Sequence, residues 1–104
     1  LKAVIYEGLR LYSPVWILGR EALYDHSLSG EKIKKGDSLL FSPYIMHRSE
    51  QWWKQPDQFK PERFLNEASR EYKFTYFPFG GGPRLCIGQS FAMMEMEIIL
   101  STLV

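Results

Sequence analysis

Three glycines and a proline in succession, Gly80-Gly81-Gly82-Pro83, constrain this chain more than any other feature. Glycine has no side chain to bury and proline has no amide to donate, so the segment must be a loop with bare backbone on its surface. Cys86, the single cysteine of the chain, follows immediately. A lone thiol cannot close an internal disulfide, so Cys86 is either a small buried hydrophobe or a reactive sulfur. An apolar segment of helical character begins just beyond it, and the positive end of a helix facing the sulfur favours thiolate over thiol.

Several chemistries compete for such a loop. A phosphate cradle needs G-x-G-x-x-G or a terminal Gly-Lys-Ser/Thr, but leucine stands at position 85 and no Lys-Ser follows. A zinc site needs about four ligands at metal spacing, which Cys86 with the distant His26 and His47 does not provide. A cysteine–histidine nucleophile pair requires only proximity in space and stays open at this level. A rigid thiolate beneath exposed amides also suits one-point ligation of a haem iron.

Composition narrows the field. Lys and Arg number 13 against 12 Asp and Glu, a net charge of +1, which argues against nucleic acid or an anionic membrane as partner. A single cysteine fits a reducing compartment, and no stretch reaches the roughly 18 apolar residues of a membrane span. There is no signal peptide, repeat or low-complexity tract. Leu1 enters an apolar pattern without a capping residue and Val104 leaves one without a stop signal, so the chain reads as a piece of a larger protein.

Apolar residues at 1, 4, 5, 9 and 12 predict a first helix that Ser13-Pro14 ends. Val15 to Arg20 reads as a short strand. Glu21 to Met46 reads as β segments broken at Ser29-Gly30 and Lys35-Gly36-Asp37, with Ser38 to Phe41 the best strand and His26 in a loop. A short helix is expected within His47 to Gln55, capped by Ser49 and closed by Pro56. Residues 57–79 read as a long irregular segment, and Gln89 to Val104 as a helix apolar on most sides, of the kind buried in a larger fold. Trp52, Trp53 and Phe64 are assigned to the core, as are the helical methionines Met93, Met94 and Met96. The whole of 1–104 is one structural unit with no internal boundary.

Glu7 and Arg10 are three residues apart on the first helix and can touch; at about 100° per residue they fall opposite the apolar stripe, where an exposed pair worth a few tenths of a kcal/mol is the plain expectation. Taken with two later segments they carry a different meaning. The run Phe79 to Gly88 has the spacing Phe-x-x-Gly-x-Arg-x-Cys-x-Gly, and Phe59-Lys60-Pro61-Glu62-Arg63-Phe64 lies between it and the Glu-x-x-Arg pair. In this order the three motifs closely resemble those of the C-terminal quarter of cytochrome P-450, the haem-thiolate monooxygenases.

That resemblance implies a mainly α fold with small β segments, of which this chain is the incomplete, C-terminal haem-anchoring portion. It implies haem b as cofactor and Cys86 as metal ligand and catalytic axial thiolate. Phe79, Gly80, Gly82, Pro83, Arg84 and Gly88 would surround the haem, and Arg20 would join Arg84 at the propionates, whose charge a guanidinium balances. Phe79, Leu85 and Ile87 would cover the sulfur. Glu7, Arg10 and Arg63 would form a buried network, and Val15, Trp16 and Ile17 would contact substrate. His47-Arg48 is given structural work only, and an axial methionine is rejected because it would block the oxygen site.

The implied reaction is insertion of one atom of dioxygen into a small, hydrophobic organic substrate, with electrons from a ferredoxin or a flavin reductase. The implied location is intracellular, cytoplasmic or cytosol-facing on a membrane if an anchor lies upstream. A peroxide-using or isomerising haem-thiolate enzyme and a non-catalytic haem-binding remnant are the alternatives. The acid–alcohol pair that delivers protons in the family would lie upstream of Leu1, so the chain alone is expected to be inactive.

Overall fold

The computed structural model describes residues 1–65 and 74–104. Helix α1 (Lys2–Leu11) leads into strand β1 (Leu18–Glu21), and then come β2 (His26–Leu28), β3 (Glu31–Ile33) and β4 (Ser38–Phe41). A single helical turn α2 (Pro43–Met46), 3-10 turns at Pro61–Phe64 and Gly82–Arg84, and helix α3 (Gln89–Leu103) complete the order.

β1 and β4 pair antiparallel with Arg20 opposite Leu39, while β2 and β3 form a separate hairpin with Leu28 opposite Glu31. The hairpin turn needs positive φ at both central residues, which Ser29 (51°) and Gly30 (87°) supply. After it the chain turns at Gly36, where φ is 90°. Asp37 accepts from the Lys34 amide and Asp25 from the Lys35 amide, both at 2.8 Å.

Ala3, Trp53 and Phe64 form the core, with Tyr6 and Tyr76 packed against them. The rings meet edge-on or tilted, as at Phe64–Tyr76 (centroids 5.0 Å apart) and Tyr6–Phe64 (5.7 Å). This cluster clamps α1 onto the Pro61–Phe64 turn.

Several local expectations change. The strand after α1 begins at Leu18 rather than Val15, because the bend at Pro14 and the irregular residues after it delay pairing until β4 offers a partner. His26 lies in β2, paired with Ile33, and not in a loop. The short helix is Pro43–Met46, upstream of the expected one: Ser42 caps it by accepting from the Ile45 amide, and proline fits its first position. His47 to Gln55 holds turns instead, and the Ser49 carbonyl takes the amides of Trp52 and Trp53 at 3.1 and 3.0 Å. Those turns send the two tryptophans opposite ways: Trp53 is 1% exposed and Trp52 49%, so Trp52 is not core. Of the irregular segment 57–79, residues 66–73 lie outside the described ones.

α3 has no buried residue, and Phe91, Met94, Ile98, Ile99 and Leu103 are exposed along it. The radius of gyration is 15.9 Å, against about 13 Å for a compact domain of roughly 100 residues. Among the described residues, no helix is long and apolar enough to cross a membrane.

Candidate haem-thiolate site

The cysteine loop is built by its own backbone. The Gly80 amide donates to the Phe77 carbonyl and the Cys86 amide to the Phe79 carbonyl, both at 3.0 Å, which closes the loop at its two ends. Gly80 and Gly82 adopt φ of 76° and 64°, a conformation that strains any residue with a Cβ. The turn Gly82–Arg84 then leads to Cys86, three residues before α3 starts. The sulfur lies 3.8 Å from where a Cβ on Gly88 would stand, so it rests against the cap of α3.

Cys86 opens into a cleft of about 310 Å³ lined by Leu9, Pro14, Val15, Leu18, Arg20, Pro78, Phe79, Gly80, Arg84 and Cys86. A second cleft of about 480 Å³ shares Leu18, Arg20 and Gly80 with it and continues along Phe41, Phe77, Gly81 and Gly82. Nothing comes within 4 Å of a Cβ built on Gly81 or Gly82, so this face of the loop is bare backbone beside open space. Among the described residues, Arg20 donates only to the carbonyl of its neighbour Gly19 (2.8 Å), and neither Arg20 nor Arg84 has an ionic partner. A soft sulfur donor, two guanidiniums without an ionic partner among the described residues, and apolar walls suit a flat apolar ring that carries carboxylates; the residues fit a haem. No cluster of His, Cys, Asp and Glu that could hold a metal ion by itself occurs among the described residues.

Of the residues assigned to substrate, Val15 lines the sulfur cleft, while Trp16 and Ile17 do not. Trp16 is 62% exposed, and its carbonyl accepts from Ser42 Oγ at 2.8 Å. The expected cover over the sulfur is only partly present. Phe79 is half-buried beside it, but Leu85 and Ile87 are exposed because the chain leaves the loop with both side chains facing outward. Leu9, Leu18 and Pro78 are cleft residues that sequence reasoning missed. Only the alternation of β1 and the position of Pro78 next to the motif hinted at them.

Beneath the loop lies the ion network. Glu7 and Arg10 are both fully buried, which overturns the exposed-pair expectation. Arg10 Nε and Nη2 donate to the two Glu7 carboxylate oxygens at 2.8 and 2.9 Å. Its Nη1 reaches the His47 carbonyl (2.6 Å), and Nη2 reaches those of Pro56 (2.7 Å) and Gln58 (3.3 Å). Glu7 Oε1 also accepts from the Lys60 amide (2.8 Å) and from Arg63 Nε (3.3 Å). Each nitrogen of the guanidinium and each oxygen of the carboxylate has a hydrogen-bond partner, the condition for burying charge without a large net cost. Glu7, Arg10 and Arg63 are therefore one cluster, tying α1 to the segment 47–63.

His47 is fully buried beside this cluster. Burial, with a smaller contribution from the charges of Arg10 and Arg48, pulls its imidazole from 6.5 down to about 4. Between these values the unfolded chain binds more protons than the folded one. The stability contributed by neutral His47 is thus complete above pH 6.5 and lost as pH falls towards 4. Going from pH 7 to pH 5 should cost about 2 kcal/mol through this residue. Denaturant titrations of the full-length protein at the two pH values would check it: a His47→Gln variant should show that much less pH dependence, and an identical slope would refute the assignment.

The comparisons with known proteins bear on this arrangement. The family model for Cytochrome P450 matches residues 1–104. The chain belongs to the cytochrome P450 family. It is 42% identical over 97 residues to "Putative cytochrome P450 132" of Mycobacterium tuberculosis (strain ATCC 25618 / H37Rv), covering 93% of this chain and 21% of that protein. It is 41% identical over 102 residues to "Cytochrome P450 4V2" of Homo sapiens, covering 97% of this chain and 19% of that one. To "Cytochrome P450 4d2" of Drosophila melanogaster it is 38% identical over 103 residues, covering 99% and 21% respectively. The chain therefore spans about a fifth of the length of the curated P450 relatives it matches. P450 proteins are, as a family, haem-binding monooxygenases.

Proposed function

We propose that this chain is the C-terminal, haem-anchoring part of a longer P450 monooxygenase that inserts one atom of dioxygen into a small hydrophobic organic substrate. The observation that carries the reading is the convergence of Cys86, Arg20 and Arg84 on one apolar cleft under a glycine loop. When bound, haem b supplies the redox chemistry that activates dioxygen. The residues of this chain bind and tune it. Cys86 would give the iron an anionic sulfur ligand that pushes electron density towards O–O cleavage. Arg20 and Arg84 would hold the propionates by charge-assisted hydrogen bonds. Gly80 to Gly82 would let backbone come close to the haem without side-chain interference, and Phe79 would keep water from one side of the sulfur.

The bare apolar surface of α3 and the groove that it forms with Val4, Tyr12 and Phe59 fit a chain whose remaining body covers them. Substrate, dioxygen and an electron donor, ferredoxin or flavin reductase, belong to that complete protein. The test is spectroscopic: the ferrous carbon-monoxide complex of the full-length protein should have the strongly red-shifted Soret band of thiolate ligation. A histidine-type spectrum under non-denaturing conditions would defeat the reading. Within the site, Val15 is the substrate-facing member of its segment. Alanine at Val15, Trp16 and Ile17 together should redistribute the oxidised products at unchanged haem content, and an unaltered product profile would remove the segment from the pocket.

A further inference from the structure

His47 makes two long-range hydrogen bonds that tie it to different parts of the fold. Its carbonyl receives Arg10 Nη1 at 2.6 Å, which ties it to the ion network under α1. Its ring Nε2 accepts the Phe77 amide at 3.0 Å, across 30 residues of sequence. Phe77 is where the cysteine loop departs: its carbonyl takes the Gly80 amide, and the Phe79 carbonyl two residues on takes the Cys86 amide. An unbroken run of hydrogen bonds and backbone thus leads from the buried Glu7–Arg10 pair through one imidazole to the residue carrying the sulfur.

The ring is fixed rather than merely enclosed. Tyr76 and Phe77 stand with ring centroids 5.3 and 5.4 Å from it. Accepting at Nε2 needs a lone pair there, which puts the single ring proton on Nδ1. Nδ1 is buried without a hydrogen-bond partner among the described residues. Leaving a buried donor unmatched is costly, so an apolar side chain would fill the same space at lower cost. What an apolar side chain cannot do is accept the Phe77 amide, which lies in irregular backbone with no strand or helix partner.

We propose that His47 is a positioning residue for Cys86, holding the start of the cysteine loop through the Phe77 amide so that the sulfur is presented to the iron. The proposal rests on Cys86 being the axial thiolate. In the full-length, haem-loaded protein, His47→Leu removes the acceptor, whereas His47→Gln places a side-chain acceptor at nearly the reach of Nε2. At equal haem loading, the ratio of non-thiolate to thiolate carbon-monoxide complex should rise about tenfold in His47→Leu and return towards wild type in His47→Gln. Hydrogen exchange at the Phe77 amide should quicken at least tenfold in His47→Leu, with α1 amides unchanged. A wild-type ratio in His47→Leu overturns the proposal, as does a His47→Gln variant no better than leucine. If His47→Leu yields no haem-loaded protein, the Phe77 amide of the wild type decides: slow exchange supports the link, and exchange at open-loop rates overturns it. A wild-type protein lacking the thiolate band would instead defeat the haem-thiolate reading on which the proposal stands.

Discussion

Arg10→Ala in the full-length protein is expected to leave almost no folded, haem-loaded material. The substitution removes all the bonds from this guanidinium at once and leaves the carboxylate of Glu7 fully buried without its partner. Glu7 would keep only the Lys60 amide and the more distant Arg63 Nε, and the His47 and Pro56 carbonyls would lose short donors. The ring of Trp53, 5.1 Å below the guanidinium, would lose its cation as well. Breaking a buried pair from one side costs about 3–5 kcal/mol, a large share of the roughly 5–15 kcal/mol that holds a typical domain together. Lysine should rescue little, because a point charge cannot fork to both Glu7 oxygens and also reach carbonyls on the far side. Haem per purified protein and the melting temperature are the measurements. An Arg10→Ala protein with normal haem content would show that the network does not hold the fold.

Cys86→Ala should behave in the opposite manner, abolishing oxygenation while sparing the fold. Cys86 is exposed in this chain, and the loop is closed by backbone hydrogen bonds that alanine also makes. Far-UV circular dichroism and the stability of the haem-free protein should therefore change little. The thiolate-type band of the carbon-monoxide complex should vanish and product formation fall to background, because alanine offers the iron no donor and no electron density. Residual monooxygenation with that band intact would exclude Cys86 as the ligand. Arg10 and Cys86 thus separate the part of the chain that builds the platform from the part that uses it.

The two classes of feature differed in legibility. Motifs of fixed spacing could be read directly: Phe79 to Gly88, the turn at Ser29-Gly30 and the strand Ser38–Phe41 depend on neighbouring residues, and their local chemistry is decisive. Glu7 and Arg10 show the limit of that approach. Helical periodicity places them opposite the apolar stripe, yet they are buried, because carbonyls of 47, 56 and 58 arrive to accept from Arg10 and the Lys60 amide arrives to donate to Glu7. No window around α1 contains that information; only the resemblance between distant motifs suggested it. The tryptophan pair failed for a similar reason. Trp52 and Trp53 have the same hydrophobicity, and the turn geometry after Ser49 alone decides which one enters the core. His47 gave no sign of its bond to Phe77, since an acceptor for a remote amide leaves no periodic trace.

The way Arg10 holds segment 47–58 has a consequence for how such a chain can vary. All three of its hydrogen bonds there go to main-chain oxygens, and the ring of Trp53 packed against the guanidinium is the side-chain contact beside them. A grip on carbonyls is indifferent to what residue supplies them, so the path of the segment is dictated while much of its lettering is left free. Gln58 and Asp57, with side chains turned to the exterior, are positions where charge or bulk can be exchanged without shifting the route of the backbone. An exterior surface next to a fixed route can thus be rewritten for a new neighbour while the buried anchor beneath remains the same.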